Sequence, residues 1–111
     1  MGKSQRTKGH NFERWVAREL RDIWPDSRRG LDQTQEGLAP DVDGTPYYIE
    51  CKVGKRPPTP EKVLFQAVVA ANKAKDARPA VGICRRDGQR PYVVMDLQDW
   101  KDLVRKAHDL G

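Results

Sequence analysis

The sequence predicts an α/β fold, a small mixed β-sheet of about four to five strands flanked by helices. Three observations predict it. Apolar residues recur at helical spacing in three stretches: Phe12, Val16, Leu20 and Ile23; Val63, Leu64, Ala67, Val68 and Ala71; Leu97, Trp100, Leu103, Val104 and Ala107. Short runs rich in β-branched and aromatic residues, 47–53, 80–84 and 92–95, stand between them. Turn signals, Gly44-Thr45-Pro46 and Asp87-Gly88, punctuate the runs. The resulting order is α-β-β-α-β-β-α.

Each element has its own local reason. Residues 1–8 form a basic, glycine-flanked lead-in, expected to be a mobile arm. A helix starts at His10 or Asn11 and runs to about Trp24, where Pro25 stops it. Arg14, Arg18 and Arg21 share its polar face. Glu13 sits at the border of the apolar stripe, about 60° from its centre. A helix can aim a side chain from there into a cleft while its neighbours pack. Residues 26–40 read as a loop containing Arg28-Arg29-Gly30, Gln33, Gln35, Gly37 and Pro40. A loop that long in a small domain is more often functional than decorative.

Asp41-Val42-Asp43, the Gly44 turn and the run 47–53 outline a hairpin. Gly54-Lys55-Arg56-Pro57-Pro58 is a rigid basic connection. Thr59 as N-cap, Pro60 at the first helical position and Glu61 in the first turn begin the second helix, which ends near Lys75. Asp87-Gly88 joins the last two strands. Asp96 caps the last helix, with Asp99 at its third position, and Gly111 suits a C-cap.

The 111 residues make one domain with a single modest core. The net charge is +5 and the pI about 9.4, which favours polyanionic partners such as nucleic acid. No apolar run approaches the ~18 residues of a membrane span. The N-terminal residues have no secretory h-region and no myristoylation pattern. Cys51 and Cys84 make neither a metal spacing nor a disulfide framework. These features describe a reduced, cytoplasmic protein with buried thiols and no membrane partner.

The chemistry centres on Glu50-Cys51-Lys52. An acid two residues before a lysine is weak by itself, because chance predicts about one such triplet at this composition. The chain has two, the other being Asp99-Trp100-Lys101. Context separates them. Asp99 and Lys101 lie on an expected helix and diverge by about 200°. Glu50 and Lys52 lie on an expected strand and point to the same side. Asp41, after Pro40, is spaced to stand beside Glu50 across the hairpin. Two carboxylates that close repel unless a cation lies between them, and hard oxygen ligands suit Mg²⁺ or Mn²⁺. A cross-strand charge cluster neutralised by Lys52 is the alternative reading of the same residues.

Pro40-Asp41, Glu50-Cys51-Lys52 and a glutamate on the first helix together resemble the PD-(D/E)xK nuclease superfamily. Within it, Gly9-His10-Asn11-Phe12-Glu13-Arg14, the short length and the order of elements resemble the archaeal-type Holliday junction resolvases, including those carried by phages. The resemblance covers roughly residues 8–96 and implies a restriction-endonuclease-like fold. It implies a catalytic set of Glu13, Asp41, Glu50 and Lys52. Asp41 and Glu50 would bind Mg²⁺, with Mn²⁺ substituting and the Cys51 backbone carbonyl a further ligand. Glu13 would hold a second metal or its water. Lys52 would orient or deprotonate the attacking water, or stabilise the phosphate. Gln66 matches a position where related nucleases place a polar residue. The segment before Asp41 departs from the resolvase pattern, with Arg29-Gly30 and a longer insert in place of a Gly-Ser pair.

The implied activity is a metal-dependent, structure-selective DNA endonuclease. It would resolve four-way junctions by paired symmetric nicks that leave a 5′-phosphate and a 3′-hydroxyl. One site per chain implies a homodimer, with Val93, Met95 and Trp100 as candidates for its face. The alternatives are another nuclease of the superfamily acting on duplex, nicked or single-stranded DNA, and a basic DNA-binding module without chemistry. Lys3, Arg6, Lys8, Arg28, Arg29, Lys55 and Arg56 flank the motif and would contact phosphates. His10 stands near the first helix start, suited to solvent or DNA, and His108 near the last helix end. No small-molecule cofactor is implied.

Overall fold

The computed structural model describes residues 3–30 and 38–110, and they form an α/β fold. In chain order the elements are α1 (Lys3–Leu20), β1 (Arg28–Arg29), β2 (Val42–Asp43), β3 (Tyr48–Gly54), α2 (Pro60–Lys73), β4 (Ala80–Arg86), β5 (Tyr92–Met95) and α3 (Leu97–Ala107). Among the described residues the strands make one mixed sheet in the order β1-β2-β3-β4-β5. Only β3 and β4 run parallel, and α2 is the crossover between them.

Strand alternation sorts the side chains of β3. Ile49, Cys51 and Val53 face α1, where Phe12, Val16 and Ala17 pack on Val42, Val81 and Ile83. Tyr48, Glu50 and Lys52 face the opposite layer, with Ala80, Gly82 and Cys84 as their register partners on β4. Val63, Ala67 and Ala71 are the buried residues of α2. Gly82 permits close packing of that helix. A Cβ there would lie 2.7 Å from Val94 Cγ1 and 2.9 Å from Val63 Cγ1.

Several expectations need correction. Residues 3–8 are the opening turns of α1 rather than a separate lead-in. They contain no proline, and Gly9 costs a helix interior only about 1 kcal/mol relative to alanine. The span 26–40 is not all loop: Arg28 and Arg29 form β1, paired antiparallel with Asp43 and Val42. The order is therefore α-β-β-β-α-β-β-α. Gln33, Gln35, Gly37 and Gly111 lie outside the described residues. The last helix ends on His108, with Asp109 in the left-handed region at φ 54°.

The two other helix boundaries follow the local chemistry. The Thr59 hydroxyl accepts from the Lys62 N–H, and Pro60 opens α2. The Asp96 carboxylate accepts from the Gln98 N–H at 2.8 Å and starts α3. Arg78, just before β4, clamps the β2–β3 turn. It donates to Asp43 Oδ1 at 2.9 Å, to the Thr45 carbonyl at 3.1 Å and to Asp76 Oδ2 at 2.7 Å. Among the described residues no helix is long and apolar enough to cross a membrane.

Candidate active site

The site is built where β2 and β3 pair. Val42 stands opposite Ile49, which sets Asp41 beside Glu50. Asp41 is held by both its backbone and its side chain. Its N–H donates to the Ile49 carbonyl at 2.9 Å, and its carbonyl accepts from Gly30 N–H at 2.8 Å. Its Oδ2 accepts from the Cys51 N–H at 2.9 Å. Gly30 is required at its position, because a Cβ would overlap the Pro40 carbonyl oxygen.

The two carboxyls stand close enough to act on each other's ionisation. Burial, then the charge of Asp41, pushes the Glu50 carboxyl up to about 8. Burial also raises Asp41, against the pull of the Cys51 N–H and the positive charge of Lys52. The pair therefore holds a proton near neutrality instead of two full charges. Lys52 lowers both carboxyls through its charge. Among the described residues it makes no ion pair within 4.0 Å.

Glu13 reaches the same place from α1, and its charge raises Glu50. Its Oε1 accepts from Arg29 Nε at 2.9 Å, and both side chains are largely buried. A cleft of about 400 Å³ is lined by His10, Glu13, Arg29, Pro40, Asp41 and Glu50, with Ala70 contributed by α2. Lys52 does not line it. The nearby Tyr48 hydroxyl donates to the Leu38 carbonyl at 3.2 Å, and burial followed by the charge of Glu50 pushes it up to about 12.

The other predicted residues fall elsewhere. Gln66 is exposed on α2, one turn before Ala70, and does not line the cleft. Lys3 and Arg6 are exposed on α1. Lys8 pairs with Asp87 at 2.7 Å, at the opposite end of β3. Arg28 donates to the Asp26 carbonyl at 3.1 Å and stands 3.9 Å from Asp43. Lys55 and Arg56 are exposed beyond β3. Two features escape sequence reading. Arg29 is the partner of Glu13, and His10 is part of the cleft wall. The helical spacing of three between His10 and Glu13 is the one signal that could have paired them.

Among the described residues no group of three or more His, Cys, Asp or Glu side chains is placed to hold a metal ion. The donor set at the pair is Asp41 and Glu50. Two half-buried carboxyls side by side, one of them raised to about 8, suit a hard divalent cation that displaces its proton, and Mg²⁺ is typically held by one or two carboxylates while keeping several waters. Both cysteines are free and buried, and burial raises the Cys51 thiol well above its ordinary range, which leaves it inert. No family model, curated protein or solved structure matches the chain.

Proposed function

We propose that the chain is a metal-dependent DNA endonuclease of the PD-(D/E)xK type that nicks four-way junctions. One observation carries the reading: the β2–β3 register sets Asp41 beside Glu50 in a cleft that Glu13 also lines, with the charge of Lys52 acting on both carboxyls. A structural ion cluster would be served by a salt bridge to Lys52, yet the lysine is left without one among the described residues.

Asp41 and Glu50 would hold Mg²⁺ or Mn²⁺, with the Cys51 carbonyl as a further donor. When bound, the cation supplies charge neutralisation at the scissile phosphate and a nucleophile at neutral pH. The chain's own residues do the rest. The Cys51 N–H keeps one Asp41 oxygen turned toward it, so the other is presented beside Glu50. Lys52 offers an ammonium to a phosphate oxygen or to the attacking water. Glu13, oriented by Arg29, adds a carboxylate to the wall that water must pass. Each chain contributes one such set, so two symmetric nicks call for two chains related by a two-fold axis.

The test is incubation of an end-labelled four-way junction with the protein and Mg²⁺, beside linear duplex, flap and single-stranded competitors. Paired nicks at symmetric positions, leaving 5′-phosphates and blocked by EDTA, are the expected result. Absence of product on every DNA would overturn the enzyme reading.

A further inference from the structure

A second cleft, of about 690 Å³, opens at the other end of α2. Arg56, Arg86 and Arg90 line it together with Thr59, Gln89 and Tyr92, and none of its lining residues is acidic. All three arginines are exposed. Among the described residues none of them has an ion-pair partner within 4.0 Å. Three like charges around one concavity repel one another and focus a positive potential into it. The N-terminal end of α2, the positive end of its dipole, faces the same space through Thr59 and Pro60. Guanidinium groups match phosphate oxygens in planar, two-point geometry.

The position is as informative as the charge. Arg86 is in register with Gly54, four residues beyond Glu50 on β3, which is about 13 Å along the strand. From Pro60 at one cleft to Ala70 at the other, α2 rises about 15 Å. Duplex DNA advances about 3.4 Å per base step, so the clefts stand about four steps apart.

We infer that the Arg56–Arg86–Arg90 cleft holds backbone phosphates of the nucleic acid whose scissile phosphate lies at Asp41 and Glu50. This rests on the nuclease reading for the second position, while the cleft itself is defined by its own residues. The arginines contact phosphates and sugars without reading bases, so they anchor the strand irrespective of sequence.

The 111-residue chain is titrated in EDTA onto a labelled four-way junction and a labelled duplex over a range of NaCl concentrations. Each phosphate contact adds about 0.9 to the slope of log K against log salt. Arg56→Ala, Arg86→Ala and Arg90→Ala should each flatten that slope by about 0.9. Over a fourfold rise in salt, each variant should thus lose about 3.5-fold less affinity than wild type does. Arg105→Ala on α3 should leave the slope unchanged. Folded arginine variants with wild-type slopes would overturn the inference, even if the wild type cuts junctions. Flattened slopes in a protein that cuts no DNA would support the cleft and sink the nuclease reading alone. A second arm adds inorganic phosphate or a nucleoside triphosphate as competitor. Arginine-dependent binding of these with no effect on the DNA slope would make it a small-anion site and overturn the inference.

Discussion

The backbone N–H of Cys51 donates to Asp41 Oδ2 at 2.9 Å, linking the carboxylate before β2 to the residue that follows Glu50 on β3. Two acids nine residues apart are thereby held as one unit. Asp41→Ala leaves that buried N–H without its acceptor and should cost about 1–3 kcal/mol. Asp41→Asn keeps an acceptor oxygen and should cost less. Urea denaturation separates the two, and neither variant should cleave DNA.

The same pair makes stability depend on pH with an unusual sign. Glu50 is raised from its ordinary 4.5 to about 8 in the folded chain. Its contribution is therefore fully present below 4.5 and lost as pH rises through about 8. Asp41 is raised too and acts in the same direction. Without metal, stability against unfolding should fall between about pH 5 and 8, by up to about 1.4 kcal/mol per pH unit for each proton. Urea midpoints of wild type and Glu50→Gln across that range check it. The variant should show the shallower dependence.

Gly30 carries the next prediction. Its lack of a side chain lets the chain after β1 lie against Pro40, the residue before Asp41. Gly30→Ala should displace that crossing and with it the Arg29–Glu13 ion pair and the Asp41 carboxylate. Gly82→Ala, by contrast, presses a methyl onto Val94 and Val63 and should cost about 1–3 kcal/mol by overpacking. Chemical denaturation with an activity assay should show a disproportionate loss of cleavage for Gly30→Ala. Gly82→Ala should lose mainly stability.

Assembly can be tested on α3. Its apolar stripe is uncovered: none of its residues is buried, Leu97 is 69% exposed and Trp100 51%. Val93 on the edge strand β5 is 60% exposed. Met95 is a weaker candidate, because its position opposite Val81 turns it onto the α1 side of the core. A dimer using this surface should sediment as monomer after Val93→Asp with Trp100→Glu. The double variant should nick junctions without pairing the two cuts. Wild-type monomers that still make paired cuts would contradict the dimer.

What is legible in the sequence is what local chemistry dictates. Thr59-Pro60-Glu61 starts α2, Asp96 caps α3, and Asp87-Gly88 turns β4 into β5. The closeness of Asp41 to Glu50 follows from hairpin register, and the reach of Glu13 from its place on the helix. β1 is not legible, because Arg28-Arg29 has no strand pattern and exists as a strand only through pairing with β2. The Glu13–Arg29 pair depends on that strand and is hidden for the same reason. The Arg78 clamp joins three separate segments, so no local pattern announces it. The early start of α1 is masked by polar residues with no capping signal and by Gly9.

The most direct test of a cation site at Asp41 and Glu50 is calorimetric titration of the DNA-free protein with Mn²⁺ near pH 7 in two buffers of different ionisation enthalpy. A carboxyl raised to about 8 is mostly protonated there, so binding should release close to one proton per chain. Glu50→Gln should abolish both the binding and the release. Binding that releases no proton and persists in Glu50→Gln would contradict a cation site at this pair.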